Sequence, residues 1–358
     1  MIKYILKRIW YSFFVILGVL SLIFFVFQVL PSDPARMMLS QRDDVRQLEL
    51  IKKKYGFDKS ISEQYFLYLN DISPISIHET KDKEHYTFLD SKYSFISIFS
   101  ILDKSIVFKI PYLRYSYVKS GKSVVSIIHE TFPSTLVLAI TSIVFASIFG
   151  SLLGIFSSVF ENTIFDKLIM IFSTLGMSLP SFLSSILIAW FFAFVLNKYT
   201  GLSMTGSLYE VDSYGRGEYL DLKNLILPAF TLGIRPLAVI IQLTRNSMLD
   251  VFKSDYVRTA TAKGLSRFKV IFKHVFINAL NPVVTGVSGW FASLLAGSVF
   301  VEYIFGWNGM GKEIVEALNN LDMPLVMGIV MFIAFIFVLI NLFVDIIYVV
   351  LDPRIKLN

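Results

Sequence analysis

Six stretches of the chain are apolar enough to cross a bilayer as helices, at about 9–30, 134–159, 168–196, 225–244, 280–301 and 324–350. A hydrocarbon core about 30 Å thick takes roughly 20 apolar residues in helical form. The first stretch follows Lys3, Lys7 and Arg8. It is too long for a signal-peptide core and no small-residue cleavage site follows, so it is read as a retained anchor. The fourth carries Pro228, Arg235 and Pro236, and its prolines predict a kink or break. Neighbouring helices can cover the backbone groups that such a kink frees.

Two polar segments stand out between these stretches. Residues 31–133 are too polar to span and too long for a turn. Ser60 and Glu63 have capping-box spacing before a helical run. From Lys92 to Val118 the chain is rich in Ile, Phe, Tyr, Ser and Val with partial alternation, which predicts strands. A small α+β extracytoplasmic cap is expected there, and a loosely ordered loop is the alternative. The second segment, 246–279, is longer than an ordinary helix connection. Ser254 to Lys263 predicts a short helix with Thr259, Ala260, Thr261 and Ala262 at its centre. Gly264 supplies the stop, and Ser266 can cap the helix that follows. Composition leaves open whether this is a docking helix or a solvated amphipathic loop.

Composition narrows the class. Of 358 residues, 55% are hydrophobic and 17% charged, against about 25% charged in a soluble domain. A plain soluble enzyme, a disordered chain and a nucleic-acid binder are excluded. Cysteine is absent, which excludes disulfides, thiol nucleophiles and cysteine-ligated metals. The net charge of +6 becomes informative only when it is mapped onto the loops. With the N-terminus inside, the inner face holds Lys3, Lys7, Arg8, Lys167, seven Lys and Arg from Arg245 to Lys273, Arg354 and Lys356. The short outer loops hold only Lys198, Arg216, Lys223 and Lys312. Both termini are therefore expected in the cytoplasm.

One string is specific. Asp255-Tyr256-Val257-Arg258-Thr259-Ala260-Thr261-Ala262-Lys263-Gly264-Leu265-Ser266, followed by His274, Asn278-Ala279-Leu280 and Pro282, resembles the coupling-loop signature of permease subunits in dipeptide and oligopeptide ABC importers. Further matches are Leu30-Pro31-Ser32-Asp33-Pro34, Lys54-Tyr55-Gly56-Phe57-Asp58-Lys59 with Gln64-Tyr65, and Leu179-Pro180-Ser181-Phe182. Leu227-Pro228-Ala229, Val301-Glu302, Phe305-Gly306-Trp307-Asn308-Gly309-Met310-Gly311 and Leu351-Asp352-Pro353-Arg354 complete the series. The resemblance covers all but roughly residues 72–122. The general importer signature begins Glu-Ala-Ala; here Arg258, Thr259 and Ala260 take those positions, as in the peptide branch.

The resemblance implies an all-α membrane protein of six transmembrane helices, of the type I ABC importer permease kind; the small α+β insertion between helices 1 and 2 is added from the residues themselves, and its stretch 72–122 is longer than that branch implies. Its parts would be an anchor helix (1–30), an extracytoplasmic cap (31–133) and a five-helix core (134–358) with the coupling segment 246–279. The implied function is peptide import without bond chemistry. The implied partners are a second homologous permease, two cytosolic ABC ATPases that hold ATP and magnesium, an extracytoplasmic binding protein and membrane lipid. No cofactor is expected on this chain. The location would be the bacterial inner membrane. Asp255, Tyr256, Arg258, Thr259, Ala260, Ala262, Lys263 and Gly264 would contact the ATPase. Arg235, a cation within a span, is a weaker candidate for the substrate pathway. Nickel chelates as cargo, or an ion-coupled carrier without an ATPase, are the rival readings.

Two motifs point elsewhere and fail on context. Gly306 to Lys312 has the G-x-x-x-x-G-K spacing of a phosphate loop, but Glu313 stands where Ser or Thr should bind magnesium and no strand precedes it. Gly286-Val287-Ser288-Gly289 resembles an intramembrane protease motif, yet none of His78, His85, His129 and His274 lies within a span core to activate the serine. Close helix packing through small residues is expected there instead. His78-Glu79 and His129-Glu130 lack a second ligand at helical spacing, so zinc is not expected.

Overall fold

The structure is a computed structural model that describes residues 2–29, 34–37, 45–82, 85–90, 93–119, 121–212, 215 and 217–351. Residues 30–33, Arg216, the closing Asp352-Pro353-Arg354 and Lys356 lie outside the described residues.

Among the described residues five helices are long and apolar enough to span. They are α1 (Ile2–Val29), α4 (Val124–Val159), α7 (Lys223–Phe252), α9 (Arg267–Gly297) and α12 (Met323–Leu351). The intervening short helices are α2 (Val45–Tyr55), α3 (Ile61–Ile72), α5 (Ile164–Ser178), α6 (Ser181–Val195), α8 (Asp255–Ala262), α10 (Val299–Ile304) and α11 (Met310–Asn319). The apolar stretch at 168–196, expected as one span, is α5 and α6 bent by 111° at Leu179-Pro180. Leu179 is extended (φ −75°, ψ 132°). Proline disfavours the helical region for the residue before it and lacks the N–H that would continue the ladder. The sixth candidate stretch is therefore a helix pair bent at this proline. The opposite holds in α7, where the helix runs unbroken through Pro228 and Pro236.

The chain forms two compact units. One combines Ile9–Glu130 with Glu316–Ala334. In it Leu20 and Phe24 of α1 bury against Tyr68 and Ile72 of α3 and Met327 of α12. The expected capping box is present: Glu63 N–H donates to Ser60 Oγ (3.4 Å), and Ser60 N–H donates to Glu63 Oε2 (3.0 Å). Three antiparallel strands follow, β1 (Ile75–Glu79), β2 (Phe95–Ile101) and β3 (Lys104–Lys109), in the order β1-β3-β2. Arg114 donates to Asp71 from Nε at 2.8 Å, and Tyr93 Oη donates to the other carboxylate oxygen at 3.0 Å. Asp322 accepts from the Tyr117 N–H (3.1 Å), the Val118 N–H (3.3 Å) and the Ser116 hydroxyl.

The other unit holds Thr131–Val315 with the chain from Phe335 onward and the residues before Ile9. Here α9 and α5 both pack on α7. Small residues set the spacing. A Cβ on Gly154 would lie 2.6 Å from Thr244, and one on Gly286 2.5 Å from Leu243. Gly286 thus serves helix approach, whereas a Cβ on Gly289 would meet nothing within 4 Å, and Ser288 Oγ donates to the Val284 carbonyl. Arg8 pairs with Asp345 at 2.7 Å.

The segment 306–312 is anchored in the core, with Asn308 exposed. Phe305, Trp307 and Met310 are fully buried. Trp307 Nε1 donates to the Ser134 carbonyl and Met310 N–H to Thr135 Oγ1. The Gly311 N–H, which a phosphate loop would offer to a nucleotide, donates to Glu302 Oε2 at 2.6 Å. A Cβ on Gly309 or Gly311 would collide with Glu302 or Val299. The glycines allow a carboxylate to be enclosed, and no room is left for a phosphate.

Candidate functional site

The segment between α7 and α9 folds as a short helix seated on a hydrophobic shelf. Ser254 is extended (φ −74°, ψ 148°), so α7 and α8 are separate helices. Its hydroxyl turns back to the Val251 carbonyl (2.6 Å) and does not cap α8. Ser266 likewise has the extended backbone of a cap residue without a side-chain cap bond.

The end of α8 is built as expected and in more detail. Gly264 has φ +76°. The Gly264 N–H donates to the Thr261 carbonyl (3.0 Å), and the Leu265 N–H to the Ala260 carbonyl (3.4 Å). These two bonds form a Schellman motif, in which a left-handed residue satisfies the orphan carbonyls of the last turn.

Val257 and Ala260, three apart, share one face of the helix. Both are buried in a cluster with Ile155 of α4, Met248 of α7 and Val270, Ile271, Val275 and Ala279 of α9. Asp255, Tyr256, Arg258, Thr259, Ala262, Lys263 and Gly264 are exposed. The structure therefore separates the eight predicted contact residues: seven face outward, while Ala260 anchors the helix to the bundle. Arg258 lies 3.9 Å from Asp255 and both are well exposed, a geometry that contributes little to stability. Beside the helix an open cavity of about 960 Å³ is lined by residues of α8, the ends of α4 and α7 and the start of α9. The start of α9 from Val270 to Phe276 is wound as a π-helix, a deviation that often marks functional positions.

Arg235 lies ten residues before Arg245 on the same helix, about 15 Å along the axis. It is exposed and is not brought to the α8 site. The residue that composition left unremarked is Asp166, in the first turn of α5 and 3% exposed. Arg245 grips it with a parallel fork, Nε to Oδ1 at 2.7 Å and Nη2 to Oδ2 at 2.8 Å. The Ser157 hydroxyl and the Asn162 N–H (3.0 Å) complete its partners. Charge-assisted forks of this kind are among the stronger hydrogen bonds. This one fastens the α4–α5 turn to α7 about two turns before that helix ends. A lone acid at the start of an apolar helix, three after Thr163, was the available signal. Among the described residues no cluster of His, Asp and Glu could hold a metal.

The geometry is that of an anchored, outward-facing helix on an apolar helical bundle. Residues 150–357 match the family model described as "Binding-protein-dependent transport system inner membrane component". Residues 1–86 match the model for the N-terminal part of such membrane components. The dipeptide transport system permease protein DppB of Alkalihalophilus pseudofirmus is 32% identical, over 99% of this chain and all of that protein. The glutathione transport system permease protein GsiC of Escherichia coli strain K12 is 31% identical over 99% of both chains. In structure, a chain of the MetNI methionine ABC transporter in inward-facing conformations superposes with a TM-score of 0.50 at 14% identity. It covers 63% of this chain and 96% of that one. The chain belongs to the binding-protein-dependent transport system inner membrane components: it is a multi-pass inner membrane permease subunit of type I importer fold, a transport component and not an enzyme.

Proposed function

We propose that this chain forms the translocation pathway of an ATP-driven importer of short peptides, and that α8 is the helix gripped by a cytosolic ATPase. The observation that carries the coupling role is the two-sidedness of α8. Its inner face, Val257 and Ala260, is fixed in the core shared by α4, α7 and α9. Its outer face presents Asp255, Tyr256, Thr259 and Lys263. A push on the outer face is transmitted to three helices at once, because packed cores move as units and deform little. Peptide cargo is supported by the relatives named for dipeptide and glutathione transport. A second permease, two ATPases that bind ATP and magnesium, and a binding protein that delivers the peptide complete the assembly, with both termini of this chain in the cytoplasm. Import follows when the ATPase states bias the bundle between two conformations of different peptide affinity.

Gly264→Val tests the coupling role. A Cβ at Gly264 meets nothing within 4 Å, so the cost arises from the positive φ alone, about 1–2 kcal/mol for an L-residue in that region. The variant inserts normally, while transport and peptide-stimulated ATP hydrolysis fall in reconstituted complex. Gly264→Asn, which tolerates that conformation, restores much of both. Full coupling by the Val variant removes the α8 assignment. Peptide cargo is tested separately, by binding assays on the extracytoplasmic partner.

A further inference from the structure

The small sheet is inside out. Its covered face carries Ser76, His78, Ser105 and Lys109, all buried, with Val107. Their polar atoms are satisfied within the fold. Ser76 Oγ meets His78 Nε2 at 3.0 Å and His78 Nδ1 meets the Thr87 carbonyl at 3.0 Å. Ser105 Oγ meets Ser97 and Ser100, and Lys109 Nζ donates to the Asp71 carbonyl. The opposite face is apolar and bare. Strand register aligns Ile75, Phe108 and Ile96 in one rung and Ile77, Ile106 and Phe99 in the next. All six are exposed, from 36% for Ile106 to 71% for Ile96. A soluble sheet puts such residues inward, and a bare apolar face of this kind marks an interaction surface.

Position and polarity say what covers it. The strands start three residues after α3, and α3 lies against the α1 span. Gln64 meets Gln28, the end of the α1 apolar stretch, at 3.3 Å. Tyr65 Oη meets Ser21 Oγ at 2.6 Å, seven residues or about 10 Å deeper along α1. Ile72 is buried in one cluster with Leu20 and Phe24 of α1 and Met327 of α12. The sheet thus starts three residues from a helix packed on the α1 span. The helices beside which the sheet is rooted also expose apolar groups: Phe25 of α1 stacks on Tyr65 of α3, and Phe66 follows. Asn70 of α3 straps the free edge of β1, with Nδ2 donating to the Ile77 carbonyl (3.0 Å) and Oδ1 accepting its N–H (2.9 Å). Polarity then changes along the strands. The rung beyond the two apolar ones is Glu79, Lys104 and Ile101. Past it Lys81 pairs with Asp103 beside the exposed turn residue Leu102.

We propose that the sheet lays its Ile75–Ile77 face on the bilayer, in the leaflet at the Gln28 end of α1, and raises its charged end into water. The contact lies at the boundary of headgroups and acyl chains. β2 is an edge strand of the sheet; hydrocarbon leaves the backbone groups of an open edge unsatisfied, whereas headgroups and interfacial water satisfy them. A soluble protein that docks and leaves uses patches with a polar rim, and the two apolar rungs offer no donor, acceptor or charge. The inference rests on α1 crossing the membrane and is independent of what is transported.

The chain has no cysteine, so single nitroxide labels can be placed at will. Ile77→Cys, Ile106→Cys and Lys104→Cys are labelled in the assembled transporter in lipid discs. Collision with oxygen, which partitions into lipid, is compared with collision with a water-soluble nickel chelate. Oxygen dominates at 77 and 106 and the chelate at 104, so the ratio inverts within two residues of one strand. Chelate dominance at 77 and 106 places the face in water, and low collision with both reagents places it under another protein; either result overturns the proposal. Ile75→Cys and Ile96→Cys read the neighbouring rung if a label at 77 or 106 disturbs assembly. Val26→Cys on α1 is the separate control: a water-facing label there removes the span and not the sheet contact.

Discussion

At the residue scale two buried carboxylates organise the bundle unit, in different ways. Asp166 is matched by a guanidinium fork and further donors. Removing one partner of such a buried pair leaves the other uncompensated, at about 3–5 kcal/mol. Asp166→Ala should therefore lower the unfolding temperature of the detergent-solubilised chain strongly. Asp166→Leu with Arg245→Met should cost much less than the two single changes added, a non-additivity that a double-mutant cycle measures. Among the described residues no cation pairs with Glu302. Burial pushes its carboxyl above the ordinary range, opposed by donors from Ser298, Thr135, Gly311 and Lys312. A carboxyl raised by folding contributes stability that is fully present below its unfolded value and lost as pH rises through its folded value. The thermal stability of the natural protein relative to Glu302→Gln should therefore increase as pH falls from neutral toward 5. A pH-independent difference in melting temperature would show that the donors outweigh burial.

At the element scale, helices end where residue chemistry ends them, and their roles follow from which face is covered. Gly264 and Pro180 terminate α8 and α5 for reasons visible in one or two residues. The covered face of α8 is different, because only packing shows that Ala260 points into the bundle while Thr259 points out. Small residues in a row predict close approach without saying to what. Asp322 shows the same limit. Its place before α12 marks it as a helix-start acid, yet what it holds is the 116–118 segment, some two hundred residues away in sequence. Asp322→Ala should free that segment, raising proteolytic cleavage between 111 and 123 while α12 still inserts. Unchanged protection would mean that the packing of Tyr117 alone secures it.

At the scale of the whole molecule, the proposed coupling role assigns the exposed charges of α8 to assembly. Reversal at Arg258 and Lys263 should leave folding intact, since both side chains are exposed, and should weaken capture of the ATPase with an altered salt dependence, because rim charges act mainly through association rate. An unchanged salt profile in a pull-down titration would place both residues in solvent. The sequence by itself determined the membrane class, five of the six spans, the short helix with its glycine stop, and the family. These depend on hydrophobic run length and on local backbone rules, which act over a few residues. Tertiary structure decided the rest. It carried α7 through two prolines where neighbouring helices pack on it, and joined Arg245 to Asp166. It also turned the polar face of the sheet inward. Alternation along β1 and β3 marks two faces without saying which is covered, because that depends on what the chain brings against each one. Here it brought Asp71, Thr87 and the β2 serines to the polar side and left the isoleucines bare.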